Sequence, residues 1–210
     1  MRNRLRPAGF IEPCLPSPVE TPPAGADWIH EIKYDGFRMI ALRRDDEIRL
    51  WSRNGNDWNN GFPLLVRALL RLKCRSCVID AEVVAHNEKG VPDFKALRRS
   101  EPPSLYAFDL LQINGIELRQ KPIEARREAL RDLITGHGPA ILYSEEIDVP
   151  AELAFKHVCK LGLEGIVSKR RGMAYESGRS QRWVKTVNPN APARRRLLEE
   201  DWNDGGRKRP

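Results

Sequence analysis

The sequence predicts an α+β fold with largely antiparallel sheets flanked by helices. Three observations carry that expectation. Segments with strand character follow one another without the regular strand–helix alternation of a parallel sheet. Apolar residues make up 40% of the chain and charged residues 31%, a balance that favours folding over disorder. At 210 residues the chain is long enough to bury a core and amounts to one or two domains. Lysine and arginine total 36 against 29 acidic residues, and the net charge of +7 favours polyanionic partners such as nucleic acid or nucleotides. No apolar run approaches the ~18 residues of a membrane span. No apolar core follows the basic start at residues 1–6 either, so a cytoplasmic protein without membrane attachment is expected.

The elements follow in chain order. Six of the 16 prolines fall within residues 1–26, which predicts an extended arm packed on the domain rather than a helix. Residues 28–34 and 37–42 predict strands on either side of a turn at Asp35-Gly36. Residues 47–51 alternate polar and apolar, as a half-buried strand does. Leu64, Leu65, Ala68, Leu69 and Leu72 fall at helical spacing. The β-branched run CVIDAEVVA at 77–85 predicts a strand, and 105–111 predicts another. Residues 124–134 and 151–161 predict charged amphipathic helices stopped by Gly136 and Gly162. Short strands are expected at 165–168 and 182–187. Residues 27–190 read as one domain. Residues 191–210, with Arg194-Arg195-Arg196 and two adjacent glycines, read as a disordered, polar, basic tail. Cys74 and Cys77 form one C-x-x-C without a second close pair, so reduced thiols are expected rather than a zinc site.

Five short segments carry chemistry. In Glu31-Ile32-Lys33-Tyr34-Asp35-Gly36-Phe37-Arg38, a strand ends in a lysine beside a tight turn, and an arginine returns after it. A lysine amine attacks only when neutral, a state that neighbouring cations or a metal favour. Ser52-Arg53-Asn54-Gly55 ends a strand with an arginine and a polar turn, suited to phosphate or ribose. Asp80 and Glu82 share one face of an apolar strand, which is costly unless the pair is neutralised by partners or a metal. Tyr106-Ala107-Phe108-Asp109 combines rings able to stack on a base with an acid. Glu164-Gly165-Ile166-Val167-Ser168-Lys169 precedes a basic stretch and Trp183-Val184-Lys185. Glu164 and Lys169 have opposite strand parity, so a bulge or twist is needed if both enter one cleft. Each segment alone also fits an ordinary turn, edge strand or solvated loop. A P-loop and a G-x-S-x-G elbow are absent, which removes support from rival nucleotide and acyl chemistries.

Taken in order, the set resembles the covalent nucleotidyltransferase superfamily, specifically the ATP-dependent DNA ligases. It is similar in particular to the ligase module of the multidomain bacterial end-joining ligases of the ligase D type. The resemblance covers residues 10–188 and includes the arm Phe10-Ile11-Glu12-Pro13-Cys14-Leu15-Pro16. It implies the nucleotidyltransferase fold and a DNA ligase (ATP) activity in repair and recombination. Lys33 would carry AMP as a phosphoramidate. Glu31 would lie near the adenine amino group, and Arg38 and Arg53 would contact ribose and phosphate. Glu82 would sit near the ribose and, with Glu164, a Mg²⁺ or Mn²⁺ ion. Phe108 would stack on adenine, and Lys169 and Lys185 would hold the α-phosphate. The implied partner is nicked or broken duplex DNA. Two departures shape the expectation. The family commonly reads Lys-x-Lys where this chain has Lys185-Thr186-Val187. The residues after Asn188 are too few for the OB-fold domain that such ligases carry, so this domain is expected in trans, from another chain or an end-joining protein. The competing expectation is a binding homologue that holds nucleotide or DNA ends without full ligase turnover.

Overall fold

The computed structural model describes residues 7–88, 90, 92, 96 and 102–191. Of the expected tail at 191–210, all but Ala191 lies outside the described residues. The architecture is two facing sheets with helices on their outer sides. One sheet holds β1 (Cys14–Pro18), β2 (Trp28–Lys33), β9 (Gly165–Arg170) and β10 (Gly178–Val187), in the order β1-β10-β9-β2. The other runs β4-β3-β5-β6-β7, built from β3 (Phe37–Arg44), β4 (Glu47–Ser52), β5 (Ser76–Val84), β6 (Ser104–Ile113) and β7 (Ile116–Glu117). The strand β8 (Ile141–Tyr143) pairs in parallel with β6. All other pairings are antiparallel except β1 with β10, in agreement with the expected α+β class.

Three strands escaped the sequence reading. β1 contains Pro16 and Pro18, which argue against a ladder. It forms because it lies at a sheet edge, where its missing N–H groups need no second neighbour, and a register shift falls between Pro16 and Ser17. β7 and β8 have two and three residues, too few for a period to register.

The turn at Asp35-Gly36 does not close a hairpin. β2 and β3 belong to different sheets, so these residues carry the chain from one layer to the other. Gly36 is required there, because a Cβ would collide with the carbonyl oxygen of Val83. The crossing therefore places Lys33 on one sheet and Arg38 on the facing one.

The helix α1 (Pro63–Leu70) begins with proline at its first turn and buries Leu65 and Leu69 on the outer face of the five-strand path. Each such leucine contributes about 1.5–3 kcal/mol by leaving water. The helix α2 (Ile123–Ile134) packs Leu130, Leu133 and Ile134 into the same core. Glu124 in its first turn and Arg131 in its last suit the helix dipole. The helix α3 (Ala151–Lys160) covers the other sheet through Val158, against Leu163 and Ile166. Between the sheets lies a second apolar cluster that includes Ile29, Ile40, Trp51, Phe108 and Trp183. Among the described residues, no helix is long and apolar enough to cross a membrane.

Candidate active site

The two sheets part at one end into a cleft of about 190 Å³. Register decides what faces it. Lys33 pairs with Gly165, Glu31 with Val167, Val167 with Lys185, and Lys169 with Trp183. Paired residues share a face, and every second residue along a strand does too, so Lys33, Glu31, Lys169, Lys185 and Trp183 point to the same side. On the opposing sheet Arg38 pairs with Glu82 and Ile40 with Asp80. Arg53 follows the end of β4 and is exposed at the cleft wall. The lining thus includes Lys33, Glu31, Arg38, Arg53, Glu82, Phe108, Lys169 and Lys185, together with Arg179.

Glu164 is the remaining sequence-derived candidate. It precedes β9 and borders an adjoining cavity shared with Lys33, Lys185 and Val187. Its carboxylate reaches the Lys33 ammonium at 2.5 Å. The parity conflict with Lys169 is resolved by Gly165, whose φ of 149° places Glu164 outside the regular ladder. Only glycine fits, because a Cβ would strike the carbonyl oxygen of Thr186.

Glu31 is buried and has three partners. Arg127 Nη1 and Lys169 Nζ each approach Oε1 at 2.5 Å, and the Ser144 hydroxyl donates to Oε2 at 2.8 Å. Arg127 and Ser144 would still satisfy Glu31 if Lys169 were drawn to a phosphate. Burial pushes the Lys169 ammonium down to about 8, against attraction from Glu31. Lys185 is also lowered, first by burial and then by repulsion from Lys33.

Arg38 is held by a fork. Its Nε donates to Asp80 Oδ1 at 2.6 Å and its Nη2 to Oδ2 at 2.7 Å. Its guanidinium carbon lies 4.4 Å from the Phe108 ring centroid, and the Lys169 ammonium lies 4.5 Å from the same point. Phe108 is buried and also packs edge-to-face against Trp183. Asp80 is therefore consumed by Arg38, whereas Glu82, pushed up to about 7 by burial, remains at the cleft wall. Asp109, the acid of the fourth segment, is fully buried in an ion pair with Arg126.

Glu82 and Glu164 fit a divalent cation. Each senses the positive charge of Lys33, and Glu82 also senses the negative charge of Glu164. Burial raises both carboxyls, a cost that a cation between them would offset. Among the described residues no cluster of three or more His, Cys, Asp and Glu converges. Two carboxylates completed by phosphate oxygens and water are the arrangement that Mg²⁺ favours. Cys74 and Cys77 are free thiols.

Sequence reasoning missed Arg127, Ser144 and Tyr175. Arg127 sits on a helix whose charges resemble a solvated face, and only the tertiary fold shows that this residue points inward. Ser144 and Tyr175 lie outside helix and strand and have no periodic signal.

The family model described as "ATP dependent DNA ligase domain" matches residues 20–186. The multifunctional non-homologous end joining protein LigD of Pseudomonas aeruginosa is 39% identical over 184 residues, covering 84% of this chain and 22% of that protein. DNA ligase C of Mycobacterium tuberculosis is 31% identical over 186 residues, covering 79% of this chain and 51% of that protein. The chain thus spans about a fifth to a half of the length of these two relatives. Among solved structures, mycobacterial DNA ligase D complexed with ATP and MES superposes with a TM-score of 0.73 at 29% identity, covering 84% of this chain and 60% of that one. The arrangement of the five segments on facing sheets and the match over most of the chain lead to one assignment: this chain belongs to the ATP-dependent DNA ligase domain family.

Proposed function

We propose that the protein is the adenylation module of a DNA ligase. In this reading it forms a lysyl-AMP on Lys33 and passes the AMP to a 5′-phosphate of broken or nicked duplex DNA in the cytoplasm. The observation that carries the proposal is the placing of Lys33. Its amine stands in a cleft lined by five further basic side chains and three aromatic rings, with a carboxylate at 2.5 Å.

The chemistry follows from the residues. The neutral Lys33 amine attacks the α-phosphorus of ATP, a P–N bond forms, and the bond to the pyrophosphate oxygen breaks. Pyrophosphate leaves with the electron pair, and the amine sheds a proton. Negative charge gathers on the α-phosphate oxygens during this step. Lys185 and Lys169 stand on the same face as Lys33 and stabilise that charge from fixed positions. Lys169 would exchange the Glu31 carboxylate for the phosphate. The purine would stack on Phe108, taking the place of the Lys169 ammonium now over the ring. Glu31 would accept from the adenine amino group, and Arg38 and Arg53 would contact ribose and phosphate from the opposite wall. Glu82 and Glu164 would hold Mg²⁺ or Mn²⁺, which screens the phosphate charge. Transfer to DNA then breaks the P–N bond, and a 3′-hydroxyl displaces AMP to seal the strand. The positive cleft and the net charge of +7 suit a duplex backbone. An OB-fold domain or an end-joining protein would complete the clamp on DNA.

The test uses ATP labelled at the α-phosphate, with Mg²⁺ or Mn²⁺, followed by a chase with nicked duplex DNA. Label on the protein that moves to the 5′-phosphate supports the proposal. Label that stays on the protein restricts the function to self-adenylation. Absence of label with either metal contradicts it.

A further inference from the structure

A closed ring of hydrogen bonds joins the N-terminal segment to the cleft. Tyr175, between β9 and β10, donates its phenol proton to Asp80 Oδ2 at 2.6 Å. The same phenol oxygen accepts the Cys14 backbone N–H at 2.8 Å. Asp80 holds Arg38 through the two-point fork. Arg38 Nη2 closes the ring by donating to the Cys14 carbonyl oxygen at 3.1 Å. Both peptide groups of Cys14 are thereby committed to the site.

Three of its four members are closed off from water, and the fourth, Arg38, reaches from them into the cleft. Asp80 and Cys14 have no exposed surface, and Tyr175 is 6% exposed. Hydrogen bonds in such a setting hold direction firmly, because a broken one leaves a buried polar group unpaired. The Tyr175 ring packs edge-to-face on Trp183, which packs edge-to-face on Phe108. Leu15 and Pro16, next along the chain from Cys14, line the cleft. Three separated stretches thus converge on the orientation of one guanidinium over one aromatic ring.

We propose that Tyr175 is a positioning residue for the nucleotide. It clasps Asp80 to the N-terminal strand, and this clasp fixes Arg38 against Phe108 in the geometry that receives ribose and phosphate. The inference rests on the nucleotide site proposed above and adds a dependence of that site on the segment around Cys14. Tyr175 itself does not line the cleft. Its action passes through Asp80 to Arg38. The purpose of the second phenol contact, to the Cys14 amide, is to make the arm part of the site.

The experiment measures binding of an ATP analogue with a methylene bridge between the α- and β-phosphates. Binding is then read without the covalent step, so a failure of lysine adenylation and a failure of the clasp are distinguishable. Tyr175→Phe keeps the ring and deletes both phenol hydrogen bonds. The expected result is about tenfold weaker analogue binding, together with a lower unfolding midpoint because two buried hydrogen bonds are lost, and binding is read at a temperature where circular dichroism shows the variant folded. In labelling assays the half-saturating ATP concentration should rise by the same factor, while the rate at saturating ATP holds. Tyr175→Phe should cause no further loss in an Arg38→Ala background, because its effect passes through Arg38. Arg38→Ala strands the buried Asp80 carboxylate, so the cycle is also closed with Asp80→Asn, which preserves volume. Tyr175→Phe and Asp80→Asn should likewise be non-additive. Unchanged analogue affinity in Tyr175→Phe, or losses that add in both cycles, would overturn the proposal.

Discussion

The two walls of the cleft are built on different principles. On the wall formed by β2, β9 and β10, each strand contributes one lysine to a shared face. Lys33 has its ion pair to Glu164, and Lys185 is half-buried beside it. On the wall formed by β3, β5 and β6, Arg38 is gripped by Asp80 and Cys14, and Phe108 is wedged against Trp183. The first, the lysine wall, carries the proposed nucleophile, and the second, the recognition wall, carries the arginine and aromatic ring proposed for ribose and adenine. Lys169 bridges them, buried on the lysine wall but lying over Phe108 of the other. The contrast teaches that the proposed nucleophile and the Arg38–Phe108 pair lie on different sheets, with the chain crossing at Asp35-Gly36, whereas Glu31, Lys169 and Lys185 share the sheet of Lys33.

Breaking each wall should therefore give a different signature. The largest effect is expected from Lys33→Ala, which should abolish labelling from α-labelled ATP while the methylene analogue still binds. Lys185→Ala should come next, lowering the rate of labelling at saturating ATP by about 10²-fold, the usual loss for one preorganised charge contact. Single-turnover labelling checks it. On the recognition wall, Phe108→Ala should weaken analogue binding by about 1–3 kcal/mol, the range for one base–aromatic stack. Calorimetric titration measures that loss.

Lys169, between the walls, provides a pH test. Its ammonium is lowered by burial from its ordinary 10.5 to about 8. The charged form holds phosphate, so analogue affinity should fall as pH rises through about 8 and be retained below it. Lys169→Arg keeps its charge at higher pH, so its affinity should stay flat from about pH 7 to about pH 9. The smallest effect is expected at Val187. It shares the face of Lys33 and Lys185 through its pairing with Gly165, and it stands where the family commonly has a second lysine. Val187→Lys should raise the labelling rate about severalfold, less than the Lys185 loss because Lys185 already serves that oxygen.

The lysine wall was legible in the sequence because strand alternation converts spacing into facing. Lys33 lies two residues from Glu31, and Lys169 and Lys185 sit on strands that pair in register. The position of Glu164 was also readable as a parity conflict that a special backbone had to resolve, and Gly165 is that residue. The recognition wall was legible in composition but not in wiring. Asp80 and Glu82 were marked as a pair needing neutralisation, yet nothing local tells which of them is consumed by Arg38. Register sets Arg38 opposite Glu82, yet its guanidinium reaches diagonally to Asp80, which also accepts from Tyr175, 95 residues away along the chain. The arm was read as extended, and its conversion into an edge strand depends on β10 offering a free edge.

The most direct test of the account is mass spectrometry of the protein after incubation with ATP and Mg²⁺. The account predicts a single added AMP on the peptide that contains Lys33, released by pyrophosphate and absent from Lys33→Ala. An unmodified Lys33 peptide, or AMP attached to any other residue, would contradict it.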